Sequence, residues 1–257
     1  MVSVPELRRT DAGTGLVLMP SRSGGRAATV LLLSSTAPDT LTTEPYRRFV
    51  QPLHEQGWAV VSMGLPCHDD DRRPGEPSEL FGWAARTARG EDFVAAFCRQ
   101  AREVVDYLLA QGTADPARLA VAGTSRAGFL AFHAAAADAR LKAVAAICPV
   151  TDLRTLTEFA GQEHNPLLER LALVRVADAL AGRPVWIIIG NADQRVGTDK
   201  ATAFAEALTA AALARGLRGQ VTLRLADLPG HRSLPRWHED AAAWLGGLEF
   251  AGNASGR

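Results

Sequence analysis

The chain has 257 residues, 47% of them apolar and 22% charged, with 28 Lys+Arg against 28 Asp+Glu. That length and composition suit a soluble globular α/β domain with a sizeable core. A formal net charge of zero excludes the basic footprint of a nucleic-acid binder and a polybasic membrane anchor. The three cysteines, Cys67, Cys98 and Cys148, form no CxxC pair, which argues against a disulfide framework or a zinc site. With no apolar leader and no membrane-length window, a cytoplasmic protein without membrane or nucleic-acid partners is expected.

Apolar runs at 15–20, 29–35, 59–66, 118–125, 143–150, 184–191 and 221–229 read as strands. Most from the second onward are nearly continuous in apolar residues, as parallel strands covered on both faces require. Between them lie helical patterns. The first, 44–57, ends in Gly57 and contains Pro52, which should kink or restart it. The second, 91–112, sets Phe93, Phe97, Val104, Val105 and Leu108 near one face. Others fall at 127–138, about 198–215 and about 236–247. The alternation predicts a mainly parallel, doubly wound sheet with helices on both faces, built as one domain over 1–257. Residues 67–90 read as a polar Pro/Gly-rich loop and 151–182 as a small helical, lid-like insertion. The tail 251–257 is expected to fray.

The segment "LAVAGTSRAGFLAFHAAAA" at 119–137 turns an apolar strand abruptly into an alanine-rich helix at Ser125. Gly123 and Gly128 flank the serine closely, as a sharp strand–turn–helix elbow demands. On such a turn the hydroxyl projects over the sheet edge and the Arg126 N–H points to where an oxyanion would form. A serine there could also be a plain helix cap. Partners downstream favour the first reading. Asp193 follows the run "PVWIIIG", and His231 lies in the Pro-Gly loop after the last strand. The order Ser125, Asp193, His231 suits a nucleophile, an orienting acid and a general base gathered at the carboxyl edge of a sheet. Asp199, the rival acid, falls where the next helix should begin and reads as a first-turn residue.

These three motifs in register resemble the α/β-hydrolase superfamily, and above all its prolyl-oligopeptidase-like and dienelactone-hydrolase-like esterases, over roughly residues 28 to 248. The resemblance implies the α/β-hydrolase fold, a serine hydrolase and no cofactor. It has two departures. Ala127 stands where the group has glycine two residues after the nucleophile, with Gly128 following. Ser34, Ser35 and Thr36 stand where many relatives carry His-Gly, so the Thr36 N–H is nominated as the second oxyanion donor on position alone.

Carboxylic esters of small to medium acyl groups are the expected substrates, cleaved through an acyl-enzyme. A peptidase is the close alternative, since the elbow resembles that of prolyl oligopeptidases, although no N-terminal propeller precedes the domain to restrict substrate. An acyltransferase with the same triad and a non-catalytic binding protein of this fold stay open, as does a homodimer. Ser35, His68, Trp83, Phe159 and His164 are candidate substrate-binding residues. Phe81 and Asn165, in the same two excursions, are further candidates for pocket walls. His68 with Asp69–Asp71 reads as a solvated acidic loop rather than a metal site. His133 is expected to pack in its helix, His238 to be exposed, and Cys148 to be a small buried apolar residue.

Overall fold

The computed structural model describes residues 4–68 and 71–250. Asp69, Asp70 and the tail at 251–257 lie outside them. The eight strands are β1 (Glu6–Arg9), β2 (Gly15–Met19), β3 (Ala27–Leu33), β4 (Ala59–Met63), β5 (Ala114–Thr124), β6 (Leu141–Ile147), β7 (Val185–Ala192) and β8 (Val221–Pro229). They form one sheet in the order β1-β2-β4-β3-β5-β6-β7-β8. β2 pairs antiparallel with β1 and β4, and the remaining pairs are parallel. The all-buried residues of β3 and β4 account for their unbroken apolar runs.

The helices are α1 (Ala37–Thr42), α2 (Arg47–Glu55), α3 (Glu79–Ala88), α4 (Phe93–Ala110), α5 (Arg126–Ala137), α6 (Pro166–Leu171), α7 (Thr198–Ala214) and α8 (Pro235–Gly246). α2 and α8 pack together against one face of the sheet, while α4, α5 and α7 lie with the 3-10 turn Leu173–Leu180 against the other. From β3 the chain steps to β4 on one side and then returns to β5 on the other. The loops leaving β3 and β5 therefore diverge at the carboxyl edge, the position where open α/β sheets place a binding crevice.

Several local expectations are corrected. β1 and α1 were not legible as elements, and α3 occupies the second half of the stretch read as a loop. Pro52 lies inside α2 without restarting it. His238 is buried, not exposed, with its ring 5.7 Å from that of Tyr46. His133 is buried as expected, its Nε2 3.0 Å from the Leu171 carbonyl.

Of the acidic residues read as a solvated loop, Asp71 is within the described residues and is tied to a buried cluster. Arg86 on α3 is 5% exposed and donates from Nε and Nη2 to Glu76 at 2.9 and 2.7 Å. Its Nη1 donates to Asp71 Oδ2 at 2.6 Å, and that same oxygen accepts the Cys67 N–H at 2.7 Å. The Arg86 guanidinium holds the Glu76 carboxyl down at about 2. Removing one member of such a buried cluster strands the others, so Arg86→Met is expected to cost about 3–5 kcal/mol in urea unfolding. The acid dependence has two limbs. Burial pushes the His133 and His238 imidazoles down to about 4, so stability falls as pH drops from 6.5 toward that value. Glu76 contributes above its unfolded pKa of about 4.3, and that contribution is lost as pH falls further toward 2. Unfolding curves across this pH range should show both limbs in wild type and a weaker second limb in Arg86→Met, where Asp138 and Glu158, held down against burial by Arg140 and Arg195, still contribute.

Candidate active site

Ser125 stands between β5 and α5 at φ 55 and ψ −120, a region that non-glycine residues rarely adopt. The turn is held from several sides. The Ser125 N–H donates to the Ile147 carbonyl at 2.8 Å, and the Ser125 carbonyl accepts from Gly128 at 3.0 Å and Val150 at 3.1 Å. A Cβ at Gly123 would lie 2.4 Å from the Ala127 carbonyl oxygen, and one at Gly128 would lie 3.0 Å from Pro149 Cβ. The elbow therefore requires glycine at 123, and it closes with Ala127 in place of the usual glycine.

Ser125 Oγ lies 2.9 Å from His231 Nε2, and His231 Nδ1 lies 2.7 Å from Asp193 Oδ2. A carboxylate only accepts, so Nδ1 carries the proton and Nε2 is left to accept from the serine hydroxyl. The Asp193 side chain is fully buried, and its Oδ1 accepts the backbone N–H groups of Arg195 and Val196 at 3.0 and 3.2 Å. One carboxylate oxygen is thus fixed by the loop and the other aimed at the imidazole. The Gly230 N–H donates to the Ala192 carbonyl at 3.1 Å, tying the histidine loop to the acid loop. Asp199 sits in the first turn of α7.

The N–H of Arg126, first residue of α5, has no intrahelical acceptor by position. Thr36 caps α1, its Oγ1 accepting from Asp39 at 3.2 Å, whereas the Ser35 N–H donates to Thr40 Oγ1 at 3.1 Å. Ser35, Thr36, His68 and Glu79 help line a cavity of about 430 Å³ at the carboxyl ends of β3 and β4. Glu79 connects it to the elbow, its Oε2 3.1 Å from Arg126 Nη1. The backbone at Glu79 has φ 55. Among the described residues, Cys148, Asp193 and His231 offer ligand atoms within 4.8 Å of one another that could hold a metal ion. Two of them, Asp193 and His231, are hydrogen-bonded to each other.

The prolyl oligopeptidase family model matches residues 96–246, more than half of the chain and a range that includes Ser125, Asp193 and His231. The chain belongs to the prolyl oligopeptidase family. That family is one of serine hydrolases of the α/β type. No curated protein matches the sequence. Similar solved structures include a puromycin-hydrolyzing peptidase of Mycobacterium tuberculosis (TM-score 0.69, 19% identity), matched over 95% of this chain and 38% of that one. A Thermus thermophilus protein is similar over 94% of this chain and 97% of its own (TM-score 0.69, 20% identity). So is a cold-adapted esterase from an Arctic intertidal metagenomic library, over 94% and 92% (TM-score 0.64, 18% identity). These likenesses show the α/β-hydrolase fold. The chain spans well under two thirds of the mycobacterial peptidase.

Within this member of the prolyl oligopeptidase family, the other sequence candidates separate. Ser35 and His68 line the cavity near the elbow. Trp83 and Phe159 are corrected to core residues. The Trp83 indole N–H donates to the Pro66 carbonyl at 2.6 Å and its ring packs 4.7 Å from that of Phe93, while Phe159 is buried at 1% exposure. His164 is exposed on the insertion. Phe81 is exposed on α3, and Asn165 caps α6 and donates to the Thr87 carbonyl. Glu79 was missed, since its pairing with Arg126 joins residues far apart in sequence and carries no local signature. Gly123→Ala is expected to lower stability by about 1–3 kcal/mol through overpacking. A structure of that variant should show Ser125 Oγ out of hydrogen-bond reach of His231.

Proposed function

We propose that the protein hydrolyses carboxylic esters of small to medium acyl groups, with Ser125 as nucleophile, His231 as general base and Asp193 as the orienting acid. The observation that carries this reading is the continuous path Ser125 Oγ–His231 Nε2, His231 Nδ1–Asp193 Oδ2, at 2.9 and 2.7 Å. His231 takes the serine proton as Oγ attacks the carbonyl, and Asp193 stabilises the imidazolium that forms. The N–H groups of Arg126 and Thr36 receive the oxyanion, each worth about 3 kcal/mol in the transition state. His231 then protonates the departing alkoxide, and water, deprotonated by the same imidazole, releases the acyl group.

The ester reading is supported by the similarity to the cold-adapted esterase, of whose chain 92% is covered. A peptidase uses the same groups, and the similarity to peptidases favours it as the second reading. Paired substrates differing only in the scissile bond, a p-nitrophenyl ester against a p-nitroanilide, decide between them.

Fluorophosphonate labelling with peptide mapping is expected to give a single adduct on Ser125. Ser125→Ala should lose both the adduct and about ten-thousand-fold or more in kcat on short p-nitrophenyl esters. Folded wild type that takes no label and turns over no ester would overturn the hydrolase reading in favour of a binding role.

A further inference from the structure

The segment Ile147–Val150 contacts both the elbow and the histidine loop. Its Ile147 carbonyl accepts from the Ser125 N–H at 2.8 Å, and its Val150 N–H donates to the Ser125 carbonyl at 3.1 Å. Between these two bonds the chain turns sharply at Cys148, a non-glycine residue at φ 44 whose N–H donates to the Ile188 carbonyl of β7 at 2.7 Å. That turn places the thiol, 1% exposed, against the histidine loop, where Sγ lies 3.0 Å from the Arg232 carbonyl oxygen. A carbonyl only accepts, so the thiol is the donor. Burial pushes the thiol up to about 12, with the Asp193 carboxylate adding to the shift, which keeps that proton in place.

His231 is consequently pinned through its neighbours on both sides. Gly230 before it is bonded to Ala192 of the acid strand, and Arg232 after it is bonded to Cys148. We propose that Cys148 is a positioning residue for His231, holding the histidine loop at the distance from the elbow that the Ser125–His231 hydrogen bond requires. This rests on the hydrolase reading above. Sγ lies within 4.8 Å of ligand atoms of Asp193 and His231, but its hydrogen bond goes to the Arg232 carbonyl, and it acts by joining the elbow's brace to the base's loop. The sequence gives a thiol at this place no role beyond small buried packing.

The donor can be removed without disturbing the turn. Cys148→Ala has no side-chain donor, while Cys148→Ser restores one. Two readouts follow each variant: steady-state kinetics on a short p-nitrophenyl ester, and the downfield proton resonance of His231 Nδ1–H, assigned by its loss in His231→Gln. The alanine variant is expected to lose about tenfold in kcat with KM within about twofold, as a displaced base should. Its downfield resonance should broaden through faster exchange with water. The serine variant should recover both. The proposal is overturned if alanine leaves kcat and the resonance as in wild type. It is equally overturned if serine fails as alanine does while both variants melt at the wild-type temperature. The resonance needs no turnover, so a wild type without Ser125-dependent hydrolysis would sink the hydrolase reading while the resonance still decides whether Cys148 fixes His231.

Discussion

One backbone conformation organises this molecule: Ser125 held at φ 55 and ψ −120 between a central strand and its helix. Such a conformation costs about 1–3 kcal/mol and persists only where the surroundings over-determine it. Here they do so through bonds from β6 and its following turn, through glycine at 123 where α5 crosses close to β5, and through Pro149 against Gly128. The strain has a geometric return. It brings the hydroxyl within 2.9 Å of His231 Nε2 and starts α5 at the next residue, so that the hydroxyl and the positive end of the helix dipole share one origin.

Much of this was written locally. The elbow was legible because its constraints are short-range: small residues two before and three after the serine, an apolar strand ahead and an alanine-rich helix behind. Asp193 and His231 were legible because each follows a strand, and strand ends share an edge. The misses have a different character. β1 is a four-residue edge strand with mostly exposed residues, so no alternation announced it. α3 was hidden because its polar residues looked solvated, whereas Arg86 and Thr87 are buried. His238 looked exposed because nothing local signals Tyr46 packing over it. Trp83 and Phe159 sat in long excursions and so suggested a pocket, but large aromatics in a segment that folds back on the body become its core.

The two excursions also serve each other. Thr87 and Ala84 on α3 bond to the Gln162 side chain, and Asn165 donates to the Thr87 carbonyl. The segment after β4, anchored by the Arg86 cluster, thus supports the insertion after β6. Both are continuous with the hydrophobic core through Leu80, Trp83, Leu153, Leu156 and Phe159. Polar contacts decide where these segments lie and apolar burial decides that they stay, a division consistent with the modest net value of single hydrogen bonds.

The ladder between β7 and β8 runs from Val185↔Val221 to Gly190↔Ala226 and, after a one-residue irregularity, to Ala192↔Pro229; at Gly190 the two backbones approach so closely that a Cβ would lie 2.4 Å from the Leu228 carbonyl oxygen. Asp193 and His231 are the residues that follow this ladder by one and two positions. Their spacing accordingly depends on the end of this ladder together with the loop bonds Gly230–Ala192 and Cys148–Arg232. Changes of length in the 215–220 turn, at the opposite edge, leave that spacing intact, whereas a single residue added between 229 and 231 shifts the imidazole off its carboxylate. For this scaffold, the free ground for natural or engineered variation lies on the side of the sheet away from Ser125.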